Sequence, residues 1–454
     1  MMGRILRSPH RHLIGSSAVA FGIKIASAGL QFVMFVALAH AMSAEDYGYF
    51  GSAFSLTTLL AVVGSLGQRP LSLRFAAAYD ETGEVELARG VMRHSYRLVL
   101  TGCGACSVVV VLYSLANGQT APWWILGVCC LTIAMGVVEF QAVAFRAMAG
   151  LALTLVPRDL LWRFGIFIGA AGSVVVWGTN STSALAWVWI FAISLAITAV
   201  AQLGFFECRQ GRRIFRGPAR YARSEWAAPA RGLWLSSVIM NAAPALSVIL
   251  IEHLMGAASA GPFFSALRVA QLLNLLLLAT SIICTPLLSR ALVVGDRRRA
   301  QTVCTLTAWI GGIFGSVGFV GIVVCGPWIL GLFGGGFHGG YSALVILGAG
   351  YLVNTLAGPT GALLEMSGKQ NAYTAILLVF NAVSVGVMPV AVGSLGAKGA
   401  AICIALAAAG WNLVAWVYCR RRIGIDPTVL GVFWPPRGNV EDPVSGCLVA
   451  EKSK

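Results

Sequence analysis

Met42-Ser-Ala-Glu-Asp-Tyr-Gly-Tyr-Phe-Gly-Ser-Ala-Phe-Ser-Leu-Thr-Thr-Leu-Leu60 occurs a second time in this chain, as Met255-Gly-Ala-Ala-Ser-Ala-Gly-Pro-Phe-Phe-Ser-Ala-Leu-Arg-Val-Ala-Gln-Leu-Leu273. The two align without gaps, and roughly two in five positions are identical. The shared positions include Gly48 with Gly261, Phe50 with Phe263, and Ser52-Ala53 with Ser265-Ala266. Further on, Pro70-Leu-Ser-Leu-Arg74 meets Pro286-Leu-Leu-Ser-Arg290 in the same order. Two matches in one order point to a chain of two homologous halves, an arrangement common among membrane transporters.

Composition sets the class. The chain has 454 residues, of which 58% are hydrophobic and only 11% charged, with a mean hydropathy of +0.81. An ordinary soluble domain carries about a quarter charged residues. Apolar runs of about 20 residues, enough to cross the hydrocarbon core as a helix, recur throughout. The net charge of +15 would suggest nucleic acid in a soluble chain. Here the arginines sit in short loops between apolar runs, so they read as topology determinants, and no nucleic-acid partner is expected.

Twelve spans follow: Leu13–Ala39, Gly48–Gly67, Ser95–Leu115, Pro122–Phe145, Leu160–Gly178, Ala184–Phe206, Leu233–Glu252, Phe264–Leu288, Val303–Cys325, Ala343–Leu364, Tyr373–Gly393 and Gly399–Tyr418. One set of connections holds Arg4, Arg7 and Arg11, then Arg69 to Arg97, then Arg146, Arg158 and Arg163. It continues with Arg209–Arg231, Arg290 to Arg299, Lys369 and Arg420-Arg421-Arg422. The other set has almost no Lys or Arg beyond Lys398 and Arg268. The positive-inside rule puts the first set and both termini in the cytoplasm. The expected fold is an all-α polytopic membrane protein of about twelve transmembrane helices in two pseudo-symmetric six-helix lobes. Residues 1–206 form the first lobe, 207–231 a basic linker, 232–420 the second lobe and 421–454 a cytoplasmic tail. A short surface helix fits the connection from Leu71 to Arg97. The proline-bearing tail after Ile423 reads as poorly ordered.

The chain has no phosphate-binding G-x-x-x-x-G-K-[ST] loop, no H-E-x-x-H and no G-x-S-x-G. The Gly-rich stretch Gly331–Gly340 lacks the Lys and Ser/Thr and reads as a flexible external loop. Cys103-Gly-Ala-Cys106 has the spacing of a redox or metal pair, but it lies in an apolar helix with no other Cys or His clustered nearby. It reads as packing. No enzyme, metal or cofactor is expected, and transport or lipid translocation is the default.

Charges inside a membrane are costly, so each needs a partner or a hydrated cavity. Lys24 lies near mid-depth of the first span, where snorkelling is hardest, and is a candidate cavity residue. Glu139, in the inner half of the fourth span, is a counter-ion for Lys24, a proton carrier, or the ion-pair partner of Arg146. Arg268 begins the eighth span inside the repeated stretch. It is either a phosphate ligand or a snorkelling residue at the outer interface. Glu252 ends the seventh span and is a second candidate counter-ion or proton carrier. Arg69, Arg74 and Arg290, at inner span ends, anchor headgroups and could draw an anionic lipid to the cytoplasmic mouth. Pro244 is the most central proline and a candidate helix break.

Leu38-Ala-His-Ala-Met-Ser-Ala-Glu-Asp-Tyr-Gly-Tyr-Phe50 resembles the first-loop signature of the Wzx-type lipid-linked oligosaccharide flippases. These polysaccharide biosynthesis proteins belong to the multidrug/oligosaccharidyl-lipid/polysaccharide exporter (MOP) superfamily. Gly261-Pro-Phe-Phe-Ser-Ala-Leu-Arg-Val-Ala270, Thr285-Pro-Leu-Leu-Ser-Arg290 and Gly358-Pro-Thr-Gly-Ala-Leu-Leu-Glu-Met-Ser-Gly-Lys369 look like later regions of that family. Met148-Ala-Gly150 echoes Met366-Ser-Gly368. The resemblance implies two six-helix lobes about a pseudo-two-fold axis along the membrane normal, with a V-shaped cavity between them. It implies a polyprenyl-diphosphate-linked oligosaccharide as cargo, moved from the cytoplasmic to the outer leaflet of a bacterial inner membrane. The product would feed exopolysaccharide, capsule or O-antigen (lipopolysaccharide) synthesis. A polysaccharide polymerase and other glycan assembly proteins are the candidate partners, and H⁺ or Na⁺ the candidate coupling ion. Lys24 and Arg268 match the family's cationic cavity groups in character. The competing reading is a cation-coupled, multidrug-type antiporter of the same superfamily, which would want acidic cavity residues.

Overall fold

A computed structural model of the chain describes residues 8–116, 121–146, 151–209 and 217–434. Among them every regular element is helical, and the β pairing consists of an isolated bridge between Met42 and Thr182. Among the described residues, eleven helices are long and apolar enough to cross a membrane. The remaining expected span, Phe264–Leu288, falls on two successive helices, Ala257–Gln271 and Leu273–Val293. In chain order the helices are α1 (Ser8–Ala41), α2 (Ala44–Gly64), α3 (Gln68–Glu81), α4 (Val85–Ala116), α5 (Pro122–Ala144), α6 (Leu151–Val156), α7 (Trp162–Trp177) and α8 (Ala184–Arg209). Then come α9 (Arg223–Met255), α10 (Ala257–Gln271), α11 (Leu273–Val293), α12 (Arg297–Gly331), α13 (Tyr341–Leu356), α14 (Thr360–Met366), α15 (Gln370–Leu395) and α16 (Ala397–Tyr418).

The chain forms two compact units. The first comprises Met1–Ser265 with Leu330–Gly340 and Val392–Ala397, and the second Ala266–Ile329, Tyr341–Ala391 and Lys398–Lys454. The sequence repeat counts α9 with the second half, while among the described helices its most extensive contacts are to α2 and α3.

The repeated stretch is where the first unit is nailed together. The Ser43 hydroxyl caps α2 by accepting from the Asp46 backbone N–H at 3.0 Å. Asp46 in turn accepts from Ala184 N at 3.0 Å, capping α8 across 138 residues of sequence. Tyr47 and Phe50 are fully buried. They join Phe35, Phe54, Phe191 and Phe264 in a cluster of edge-on ring contacts with centroids 5.0–5.8 Å apart. The residues of the resemblance motif thus act first as caps and core.

Two loop expectations need correction. Gly331–Gly340 is packed, not loose. Phe333 and Phe337 are buried, Phe337 meets Tyr47 at 5.4 Å, and the His40 ring nitrogen contacts the Leu332 carbonyl at 2.9 Å. Its glycines permit tight turns, and its two phenylalanines supply the anchoring the composition hid. The described part of the tail after Ile423, through Trp434, forms a strap on the second unit. Gln301 donates to the Asp426 carbonyl at 2.6 Å and accepts from its N–H at 2.8 Å. Asp426 also accepts from Trp416 Nε1 at 3.1 Å and from the Thr428 hydroxyl at 2.8 Å. Pro435, Pro436 and Pro443 lie outside the described residues.

Gln301→Ala would leave both backbone groups of Asp426 buried and unsatisfied, a cost of about 2–3 kcal/mol. The expected outcome is a lower thermal unfolding midpoint with new protease cleavage between Asp426 and Trp434. Unchanged cleavage there would show that Gln301 does not hold the strap.

The surface helix expected between Leu71 and Arg97 is α3, which buries Leu71, Ala76 and Tyr79 against Val91, Phe140, Phe145 and Trp226. The described end of the basic linker docks on α4. Arg93 and Arg89 donate to the carbonyls of Gly217 and Pro218 at 2.9 and 3.3 Å, and Arg220 N donates to Glu86 O at 3.0 Å. A Cβ on Gly90 would lie 1.8 Å from the Arg220 carbonyl oxygen, so only glycine admits this approach. Arg212, Arg213, Arg216 and Met148-Ala-Gly150 lie outside the described residues. Cys103 is buried with a free thiol and packs into the space beside Gly64 and Gly136.

A candidate anion-handling site in the first unit

Five charged or basic positions converge inside the first unit, drawn from α1, α3, α5 and the segment that joins α6 to α7. That segment, Pro157–Leu161, is a π-helical turn. Such turns interrupt the regular ladder and re-aim side chains, and they are frequent at functional sites. This one turns both Arg158 and Asp159 inward. Asp159 retains 1% side-chain exposure and Arg158 20%.

The pairs form an alternating chain. Arg69 Nη2 lies 2.5 Å from Glu139 Oε2. Arg158 Nη2 and Nε reach Glu139 Oε1 at 2.5 and 2.9 Å, the forked approach a guanidinium makes to a carboxylate. Arg158 Nη1 donates to Asp159 Oδ1 at 2.8 Å. Lys24 Nζ closes the chain on Asp159 Oδ2 at 2.6 Å. Every one of the four carboxylate oxygens therefore carries a cationic donor. Arg163, one turn beyond Asp159 on α7, donates to the Ser27 hydroxyl of α1 and stacks over Trp162 at 5.5 Å. Its Nε is buried with no hydrogen-bond partner. Trp162 Nε1 donates to the Arg158 carbonyl, bracing the π turn.

Four cations (Lys24, Arg69, Arg158 and Arg163) thus stand against two carboxylates, an excess of two positive charges. Burying such groups costs several kcal/mol each unless they are paired and hydrogen-bonded. The carboxylates meet that cost for the cations they hold. A cavity of about 30 Å³ adjoins the network, with Gln31, Glu139, Arg158 and Arg163 as its polar lining and Phe35, Phe54, Met135 and Leu195 among its apolar walls. It has room for a water molecule or two.

The residues singled out from sequence divide as follows. Lys24, Glu139 and Arg69 are in the network. Glu139 pairs with Arg69 and Arg158, not with Lys24 or Arg146, and Arg146 donates to the Ala142 carbonyl one turn back at 2.9 Å. Arg69 is turned inward from the start of α3. Arg74 and Arg290 are exposed, and Arg74 lies over the Phe75 ring at 5.7 Å. Glu252 is half-buried and accepts from the Ser52 hydroxyl at 3.4 Å. Arg268 belongs to the second unit, where it donates to Gln271 at 3.2 Å. The break expected at Pro244 is absent: α9 runs continuously from Arg223 to Met255. Proline removes one ladder bond, and the turns on either side carry the helix through. Asp159, Arg158 and Arg163 were missed as site residues. Their signal is an Arg-Asp pair behind a proline, at the mouth of an apolar run.

The second unit has a polar core of another kind. Asn354 donates to Asn274 at 2.9 Å, and Asn412 donates to Asn354 at 3.0 Å. This amide chain carries no charge.

No protein-family model matches the chain, and no curated protein matches it. Solved structures do. An inward-facing multidrug resistance MATE family transporter of the MOP superfamily superposes with a TM-score of 0.69 at 14% identity, over 90% of this chain and 98% of that one. A MOP superfamily transporter from Pyrococcus furiosus, whose binding pocket is described as having reversed polarity, gives 0.62 at 14% identity over 90% and 95%. A MATE point variant gives 0.62 at 16% identity over 92% and 97%. These proteins are transporters, not enzymes, and what the chain shares with them at this identity is the fold: all-helical, multi-pass and in two lobes.

Proposed function

We propose that the protein moves a polyprenyl-diphosphate-linked oligosaccharide from the cytoplasmic to the outer leaflet by alternating access, for cell-surface polysaccharide synthesis in a bacterial inner membrane. The observation that carries this reading is the charge balance inside the first unit. Both carboxylates of the network, Glu139 and Asp159, are saturated by cations, while its cations keep an excess of two charges and a buried, unpartnered guanidinium N–H on Arg163. A diphosphate needs cationic partners on its way through the bilayer, and its prenyl tail can stay in lipid. The exposed arginines, Arg74 and Arg290 among them, would concentrate an anionic headgroup at the cytoplasmic side. The Pyrococcus furiosus transporter of the same fold, whose reversed pocket polarity is described as suggesting a different function, is a precedent for this line of argument.

The second reading is a cation-coupled antiporter, favoured by the multidrug transporters among the structural matches. It needs an acid free to exchange H⁺ or Na⁺. Glu139 and Asp159 are occupied by cations, whereas Glu252 is held by a long hydrogen bond from Ser52 and Glu207 keeps a buried carboxylate oxygen without a partner.

The test replaces Lys24 and Arg268 by Ala together in cells that depend on this protein. Lipid-linked glycan is then extracted and its membrane face assayed. The expected outcome is a complete repeat unit accumulating on the cytoplasmic face and at least a tenfold loss of surface glycan. Normal surface glycan would argue against a diphosphate role. An unchanged lipid pool with new sensitivity to cationic toxins would establish the antiporter instead.

A further inference from the structure

The first unit holds a second, larger cavity of about 290 Å³ that shares no residue with the ion network. It lies between the α2–α3 turn, α4 and the first turns of α9. Its walls are apolar and aromatic: Leu66, Leu98, Ala227, and the rings of Trp226 and Trp234. Both indole N–H groups are already spent, Trp226 on the Tyr79 hydroxyl at 3.1 Å and Trp234 on the Val63 carbonyl at 2.8 Å. The Gln68 side chain is likewise engaged, accepting from Ser95 and donating to the Leu66 carbonyl. The other polar groups of its lining are the His94 ring, 5.5 Å from that of Trp226, and two arginines, Arg223 and Arg231, the first lying over the Tyr221 ring at 5.5 Å. Arg223 and Arg231 are exposed, and among the described residues neither is paired with a carboxylate.

The turn that forms one wall is held under strain. Leu66 has φ 47° and Gly67 φ 72°. A left-handed leucine is rare, because its Cβ crowds the following carbonyl. The turn is pinned because Gly67 sits against α9, where an added Cβ would lie 2.2 Å from the Ala230 carbonyl oxygen. The result is an apolar side chain, 36% exposed, facing the cavity.

We propose that this groove holds one anionic phospholipid of the cytoplasmic leaflet. Its phosphate would sit between Arg223 and Arg231, with the first methylenes of its chains along Leu66, Leu98 and Ala227. Eight residues of helix place the two arginine Cα atoms about 12 Å apart, a gap two extended side chains can close on one headgroup. Arg223 to Arg231 precede the apolar run that starts at Leu233, which sets them at headgroup depth, and the tryptophans suit the same level. The inner leaflet is where the anionic lipids are. The inference is independent of the cargo.

The test is native mass spectrometry of the full-length protein, delipidated in detergent and titrated with phosphatidylglycerol or phosphatidylcholine. The expected outcome is one retained phosphatidylglycerol with at least a tenfold preference over phosphatidylcholine. Arg223→Gln with Arg231→Gln should weaken that binding about tenfold. Ala227→Trp, which keeps both charges and fills the groove, should weaken it as much, and it carries the test if the arginine variant fails to fold. Arg298→Gln with Arg299→Gln, in the other unit, should leave it unchanged. Equal binding of the two lipids, or full retention in the Ala227→Trp protein, would overturn the proposal. So would displacement of the phospholipid by an equimolar polyprenyl phosphate, which would make the groove a cargo site.

Discussion

Asp159→Ala is expected to cost about 3–5 kcal/mol of folding stability, the range for removing one partner from a buried ionic pair. Native domains are stable by only about 5–15 kcal/mol, so this loss approaches unfolding. The reason lies in the connectivity. Asp159 holds Lys24 through one oxygen and Arg158 through the other. Its removal leaves an ammonium unpaired and strips Arg158 of half its acceptors. Lys24→Met is the comparison. It leaves Asp159 still bound to Arg158, and the cost is that of one charge-assisted hydrogen bond, about 1.5–3 kcal/mol. Lys24→Met combined with Asp159→Asn removes both charges and keeps an acceptor for Arg158, so it should be more stable than Asp159→Ala alone. Thermal unfolding midpoints in detergent would rank the three. If Lys24→Met proved as damaging as Asp159→Ala, the network would not be organised around its acids. The double variant also separates folding from transport: it should fold, and it should fail to move an anionic cargo that uses Lys24.

Much of the architecture was legible because membrane crossing is written locally. An apolar run of spanning length and a cluster of arginines at one end need no knowledge of the rest of the chain. Lys24 and Glu139 were legible for the same reason, as charges inside apolar runs. Asp159 was not. It stands next to Arg158 and close behind Pro157, so by local pattern it belongs to a basic loop, and the alternation of loop charges absorbed Arg158 and Arg163 as topology signals. What draws them inward is pairing over distance: Lys24 and Asp159 are 135 residues apart in sequence, Arg69 and Glu139 70. Neither periodicity nor composition contains that information. The π turn compounded the difficulty, because it extends a span backwards through a proline that reads as a boundary. The packed glycine loop failed to show for a related reason. Phe333 and Phe337 are anchored by partners from α1 and α2, and the stretch by itself looks only flexible.

Gly48→Ala is expected to be the most damaging single methyl addition in the repeated stretch, lowering stability by about 3 kcal/mol, the upper end of the usual overpacking cost. A Cβ there would lie 1.9 Å from the carbonyl oxygen of Ala257, and backbone cannot step aside as a side-chain tip can. The counterpart glycine faces the same contact from the other side, since a Cβ on Gly261 would meet the Ala44 carbonyl oxygen at 3.0 Å. The glycine conserved between the two copies of the repeat is therefore where the two copies touch, at the starts of α2 and α10. Gly104→Ala is the matched control. It adds the same methyl to a helix with nothing within 4 Å, and should be neutral or stabilise by about 0.5–1 kcal/mol through helix propensity. Opposite signs for one chemical change would locate the effect in close approach of backbone. Equal, small effects would mean that the helix starts can separate without loss, and that the repeat owes its shared glycine to something other than this contact.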